Sequence, residues 1–196
     1  MLLTKQPKTF VIALKDHPVS QKQLDDCIAS GKKYGWQLET FWGIYGNTLT
    51  SESWADKKIT CYMDRAGQQG CFFSHLLLWE RCINLNEPII VLEHDAVIQD
   101  LWKPIDVVNS LIKLHRHYRK DPMSNKWVHP VTGRWSPSTH AYCLTPTHAK
   151  TLIESAQRLG AFPADVFMGS NVINVKLLGD PELVARQNTF STTGHL

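Results

Sequence analysis

The sequence predicts an α/β fold, a mixed but mostly parallel sheet flanked by helices, and three observations carry that reading. Thr9-Phe10-Val11-Ile12-Ala13-Leu14 and Pro88-Ile89-Ile90-Val91-Leu92 are unbroken apolar runs of strand length, the pattern of strands buried on both faces rather than half exposed. The chain opens in the order strand, helix, strand, the unit that builds parallel sheets. Its 196 residues, 43% hydrophobic and 20% charged, lie near the globular average and suit one domain with long loops.

The elements follow in order. The first strand, over 9–14, closes at Asp16, His17 and Pro18. Ser20 with Gln23 forms a capping-box start, and Leu24, Cys27 and Ile28 recur at helical spacing until Gly31 and Gly35 stop the pattern. Leu38 to Trp42 reads as the second strand, and Gly43 to Gln69, rich in Gly, Ser, Thr, Asn and Lys, as a loop long enough to frame a site. Cys71 to Leu85 carries Phe72, Leu76, Trp79 and Ile83 on one helical stripe, and the central strand after it ends on Glu93-His94-Asp95. Val107 to Tyr118 reads as a helix with a basic end, Asp121 to Pro137 as a loop, and His140 to Leu144 as a strand. Thr145-Pro146 opens a helix through Leu159, with proline at its first position. Pro163-Ala164-Asp165 introduces a short helical turn before a last strand over Val175 to Leu178.

Composition narrows the function. A net charge of +3 falls short of the basic footprint of a dedicated nucleic-acid binder. The five cysteines form no CxxC pair, which points to a reduced compartment. Met1 to Lys8 holds no apolar signal core, and no run approaches a membrane span, so a cytoplasmic protein with at most peripheral membrane contact is expected. Oligomeric state has no local signature.

Two segments carry chemistry. Glu93-His94-Asp95 directly follows an apolar strand, and ligand sites in such sheets form beyond the carboxyl ends of strands. Carboxylates at i and i+2 can share one hard cation, Mg²⁺ or Mn²⁺, that bridges to a diphosphate; the plain alternative is a solvated turn. Gly67 to His75, with Gly70-Cys71-Phe72-Phe73-Ser74-His75 at its end, reads as a glycine-flanked helix entry whose free N–H groups suit an anion, or as an interior where Ser74 and His75 are simply hydrogen-bonded. A third segment, Lys113, His115, Arg116, His117, Arg119 and Lys120, leads to Trp127, His129, Arg134 and Trp135. Such a surface can stack on sugar rings or bind phosphates and unstacked bases, or it is a solvated helix end.

Taken together, Gly70-Cys71-Phe72-Phe73-Ser74-His75, Ile90-Val91-Leu92-Glu93-His94-Asp95, Thr139-His140-Ala141-Tyr142-Cys143-Leu144 with Ala149-Lys150, Pro163-Ala164-Asp165, and Pro181-Glu182-Leu183-Val184 with Gln187 and Ser191 resemble glycosyltransferase family 25 in content and order. The resemblance implies a single GT-A-like domain over 1–196, with a nucleotide-sugar half over 1–100 and an acceptor half over 101–196. It implies inverting, metal-dependent transfer from a nucleotide diphosphate sugar, a UDP-sugar first among them, to a hydroxyl acceptor such as a saccharide. In that scheme Glu93 and Asp95 hold Mn²⁺ or Mg²⁺ and Asp165 takes the proton of the attacking hydroxyl. Gly70, Ser74 and His75 line or support the donor pocket, Arg65 neighbours the diphosphate or uracil, and His195 is a further candidate metal nitrogen. His94 stands where the family carries an acid. Strand alternation turns it away from the cation, whereas a ligating His94 would favour a softer ion. A hydroxylated DNA base is the alternative acceptor, and a catalytically silent module that binds nucleotide sugar or glycan is the alternative class.

Overall fold

In the computed structural model of the chain, alternation along the strands sorts the core into two layers. Phe10, Ile12, Ile89, Val91, Tyr142 and Leu144 enter one cluster, and Val11, Ala13, Ile90, Leu92, Ala141 and Cys143 enter the other. Both faces of the central strands are therefore covered, which is why their sequences run apolar without a polar alternate. The structure describes residues 1–115, 128–130, 138–169, 171–178 and 183–187.

The elements are β1 (Leu2–Leu3), β2 (Lys8–Ala13), α1 (Pro18–Lys33), β3 (Leu38–Trp42), a 3-10 turn (Gly46–Thr48), α2 (Ser51–Asp56), α3 (Ala66–Leu85), β4 (Ile89–Glu93), β5 (Ala96–Ile98), β6 (Ile105–Asp106), β7 (Leu111–Lys113), β8 (Val128–Pro130), β9 (Ala141–Leu144), α4 (Pro146–Leu159), α5 (Ala164–Phe167), β10 (Val175–Leu178) and β11 (Val184–Arg186). Seven strands form the main sheet in the order β3-β2-β4-β9-β7-β10-β8. The pairs β2–β3, β2–β4 and β7–β10 are parallel, and β9 runs antiparallel to both β4 and β7. Five strands thus share one direction, against which β9 and β8 run. β1 pairs with β6, and β5 with β11, as two small antiparallel ribbons. Residues of α3, α4 and α5 pack into the first core cluster, while α1, β5 and β11 contribute to the second.

Strands β3 and β10 and helix α4 lie where the sequence puts them, α4 with a reciprocal capping box between Thr145 and His148. Other elements depart from expectation for identifiable reasons. α1 begins at Pro18 because the His17 imidazole, rather than a Ser20 cap, accepts the Ser20 N–H. α3 begins at Ala66, five residues before the apolar stripe. The 43–69 segment holds the 3-10 turn and α2, the latter capped by Thr50 and Ser53. Where a helix over Val107 to Tyr118 is expected, the described residues form β7 instead, and 116–118 lie outside the described residues. Leu111–Lys113 pairs with β9 on one side and β10 on the other, so long-range strand pairing overrides local spacing. Most of the 121–137 loop lies outside the described residues. Among the described residues, no helix is long and apolar enough to cross a membrane.

Candidate active site

Glu93 closes β4 on the face that meets α3, since it keeps the parity of Ile89 and Val91. Its backbone N–H donates to the His140 carbonyl at 2.8 Å, so β9 still holds the strand at this point. Its Oε1 accepts from His75 Nε2 at 3.3 Å and from the Thr139 hydroxyl. Oε2 takes no hydrogen bond from the described residues, and the side chain borders a cleft. The chain then turns at His94 and Asp95 into β5, and β11 fixes what faces the turn. Ala96 is in register with Arg186, and Gln187 N–H donates to the Asp95 carbonyl at 2.8 Å. Arg186 Nε consequently reaches Asp95 Oδ2 at 2.6 Å, a charge-assisted contact on a carboxylate whose side chain is only 7% exposed. The other oxygen, Oδ1, is buried and has no hydrogen-bond partner among the described residues.

The two carboxylates sit in opposed electrostatic states. Burial works to raise the Glu93 carboxyl, but the hydrogen bonds from His75 and the Thr139 hydroxyl outweigh it and hold the group below the usual carboxylate range. Burial and then the neighbouring Glu93 charge push Asp95 up, against the opposing pull of Arg186. Two acids held this close repel each other, and a cation between them relieves that repulsion. The donor set fits a hard divalent ion: each carboxylate has one oxygen committed to protein donors and one left over, Glu93 Oε2 and Asp95 Oδ1.

Glu93, His94, Asp95, Thr139, Asp165 and Arg186 border a cleft of about 240 Å³. Asp165 belongs to the first turn of α5, where Pro163, not Asp165, is the N-cap; its Oδ1 accepts from the Val166 N–H at 3.0 Å. Beneath the cleft lies Lys113, fully buried at the end of β7, with its ammonium on the Ser138 carbonyl. Burial lowers its pKa to about 7, against the opposing pull of Asp165 and Glu93.

Several expectations need correction. Gly70 does not stand at a helix start. It lies in the second turn of α3, where an added Cβ would come within 2.4 Å of the Ile44 carbonyl and 2.7 Å of Gly46 N, so its absence of a side chain serves a backbone crossing. Ser74 is buried, donating to the Gly70 carbonyl at 2.6 Å and accepting from Ile44 N–H at 2.9 Å, and thus ties that loop to α3. Together with His75 and Glu93, both residues border a second, smaller cavity of about 50 Å³. Arg65 is exposed at the α3 N-cap and lines neither cavity. His94 does not turn away, because the strand has ended; it lines both cavities. In the basic segment, Lys113 and His115 are buried, not surface groups, and His115 packs on the His140 ring at 4.4 Å. Arg116, His117, Arg119, Lys120, Trp127, Arg134, Trp135 and His195 lie outside the described residues.

The site also contains residues that carry no assigned role in the sequence analysis. Thr139 and Tyr142 carry hydrogen bonds beneath Glu93, and Arg186 pairs with an acid 91 positions earlier, for which no local signal exists. Cys71, His75 and Glu93 bring donor atoms within 4.8 Å of one another. A larger cavity, about 830 Å³, opens at the opposite end of the sheet between the segments entering β4, β7 and β10. Among the described residues its lining includes Asn86, Asn109, Thr147, Asn171 and Asn174 but no acid, lysine or arginine.

The family model described as glycosyltransferase family 25 (LPS biosynthesis protein) matches residues 6–129, more than half of the chain. No curated protein sequence matches. Among solved structures, a glycosyltransferase involved in glycosylation of the major capsid of PBCV-1 superposes with a TM-score of 0.52 at 8% identity, covering 95% of each chain. A Drosophila beta-1,4-galactosyltransferase 7 mutant, in complex with manganese, UDP-Gal and xylobiose, gives 0.46 at 9% identity over 97% of this chain and 79% of that one. The first of these likenesses is one of fold.

Proposed function

The chain belongs to glycosyltransferase family 25, and on that premise we propose that it transfers a sugar from a nucleotide diphosphate donor, a UDP-sugar, to the hydroxyl of a saccharide by a metal-dependent inverting displacement. The observation that carries this reading is the pair Glu93 and Asp95. Each has one oxygen fixed by protein donors and one uncommitted, and both border the same cleft as Asp165.

In this reading residues 1–100 bind the donor, residues 101–196 bind the acceptor, and the whole chain acts as one GT-A-like unit. Glu93 and Asp95 would hold Mn²⁺ or Mg²⁺ through their uncommitted oxygens, and the ion would supply Lewis-acid stabilisation of the leaving diphosphate. Arg186 orients Asp95 and favours its ionised form against the upward push of burial and Glu93. Asp165 accepts the proton of the acceptor hydroxyl as its oxygen bonds to the anomeric carbon and the bond from that carbon to the diphosphate oxygen breaks. Gly70, Ser74 and His75 support the donor side by fixing the loop and the carboxylate beside it, and Arg65 is left without a part in the cleft. The burial of Lys113 and His115 withdraws two groups from the surface that a DNA acceptor would use.

The test is thermal stabilisation by UDP with and without Mn²⁺. A ligand at about 100 times its dissociation constant adds roughly 2.7 kcal/mol. Stabilisation that needs both Mn²⁺ and the Asp95 carboxylate, and is lost in Asp95→Ala, supports the reading. Equal stabilisation of wild type and Asp95→Ala removes the metal site from it, and transfer to hydroxylated DNA in preference to any saccharide replaces the acceptor.

A further inference from the structure

Resting on the assignment of Glu93 as a metal ligand, we infer that Trp79, Tyr142 and His75 form a one-way hydrogen-bond chain that aims the Glu93 carboxylate, making all three positioning residues for transfer. The direction follows from donor accounting. An indole N–H can only donate, so Trp79 Nε1, 3.0 Å from the Tyr142 hydroxyl, donates to that oxygen. The hydroxyl keeps one proton, and its remaining partner is His75 Nδ1 at 2.9 Å. Nδ1 is therefore an acceptor, the ring proton sits on Nε2, and Nε2 donates to Glu93 Oε1 at 3.3 Å. Every polar atom in the chain is satisfied this way, which a reversed order would not achieve, since it leaves the tyrosine proton with no acceptor in the series.

The placement is built, not incidental. His75 and Trp79 stand at i and i+4 on one face of α3, Tyr142 comes from β9 and Glu93 from β4, so three elements converge on one carboxylate. Trp79, Tyr142 and His75 are each 0% exposed. Phenylalanine at 142 would fill the same space but strip the buried Trp79 Nε1–H and His75 Nδ1 of their common partner, so the hydroxyl is there for the polar chain, which meets the cleft at Glu93. With His75 and the Thr139 hydroxyl both on Oε1, the carboxylate is held with Oε2 to the cleft. The tautomer has a second consequence. Although Cys71, His75 and Glu93 gather within 4.8 Å, a protonated Nε2 does not offer His75 to a cation, which leaves the ion to the carboxylates.

The experiment pairs ¹⁵N NMR of the histidine ring in the full chain with Mn²⁺ binding followed by the electron paramagnetic resonance of the free ion. In wild type the proton of His75 is expected on Nε2. In Tyr142→Phe, which removes one hydroxyl, the preference for that tautomer is expected to relax and Mn²⁺ affinity to fall by about tenfold or more, the range for residues that orient a metal ligand, in a protein whose fold is unchanged by circular dichroism. His75→Leu should lose the same affinity and His75→Gln, which can still donate to Oε1, should recover part of it. A proton on Nδ1 in wild type overturns the direction of the chain, and wild-type Mn²⁺ affinity in Tyr142→Phe overturns its role. Absence of Mn²⁺ binding by wild type would overturn the metal assignment beneath the inference, and the ring tautomer, read without metal, separates that failure from a failure of the chain itself.

Discussion

The two ends of the central sheet hold cavities of opposite character. Where β4 ends, a cleft of about 240 Å³ is bordered by Glu93, Asp95, Asp165 and Arg186, with Asp95 almost wholly buried. At the other end, a cavity of about 830 Å³ is lined by asparagines, threonines and aliphatic groups and, among the described residues, by no charged side chain, since burial lowers the pKa of His148. Volume would choose the second and chemistry chooses the first. Burying a charge is expensive unless it is paired, so a chain that buries Asp95 and Lys113 and half-buries Glu93 and Arg186 at one end of a sheet has concentrated its electrostatic strain there. The larger cavity carries no such burden, and among its described lining residues no carboxylate stands ready to hold a cation.

The sharpest way to break this contrast is at Asp165. Asp165→Asn removes the proposed base and leaves Glu93, Asp95 and Arg186 in place. Transfer is expected to fall by about 10²- to 10⁴-fold, the usual contribution of a positioned base, with UDP and Mn²⁺ stabilisation retained. Near-normal turnover in a radiolabelled-sugar assay would take Asp165 out of the mechanism and leave the small cleft as a donor site alone.

Lys113 tests whether the charged end is also the strained end. Burial lowers its pKa to about 7, while an unfolded lysine titrates near 10.4. Between those values the unfolded chain binds the extra proton, so stability rises with pH across that window; below about 7 both states are protonated and the full burden of the buried charge is present. Lys113→Met removes it. The variant's stability relative to wild type should accordingly be greater near pH 6 than near pH 9, by about 3 kcal/mol from two units of titration at about 1.4 kcal/mol each. Urea denaturation at both pH values reads the difference, and a pH-independent difference would mean that Lys113 stays protonated in the fold.

These residues also mark how far the sequence could be read. Strands such as Val175–Leu178 and the Thr145-capped helix α4 were legible because their signals are local: an apolar run, a cap and a proline at the first helical position. That Glu93 and Asp95 stand together where a strand ends was legible because a strand end is a local event, whereas only the family resemblance drew attention to Asp165, which borders the same cleft. Lys113 was not. Spacing from Val107 onward mimics a helix, and only pairing with β9 and β10, both distant in sequence, turns Leu111–Lys113 into a buried strand. Arg186 and Tyr142 were illegible for the same reason: their partners, Asp95 and His75, lie 91 and 67 positions away. His94 shows the limit of alternation, a rule that expires where the strand turns.

The smallest expected effect is the control that the contrast requires. Thr147 and Asn171 line the large cavity and are exposed, and no side-chain hydrogen bond within the described residues ties either one down. Thr147→Ala and Asn171→Ala should each change stability by no more than about 0.5 kcal/mol, as surface substitutions away from special features do, and should leave Mn²⁺-dependent UDP binding and sugar transfer unaltered. Because the cavity sits at the entering ends of β4, β7 and β10, any influence on the carboxylates would have to travel the length of the sheet, and β4 is held in register on both sides by β2 and β9. If either substitution reduces transfer as much as Asp165→Asn does, the larger cavity takes part in the reaction, and buried charge no longer suffices to tell the two ends of the sheet apart.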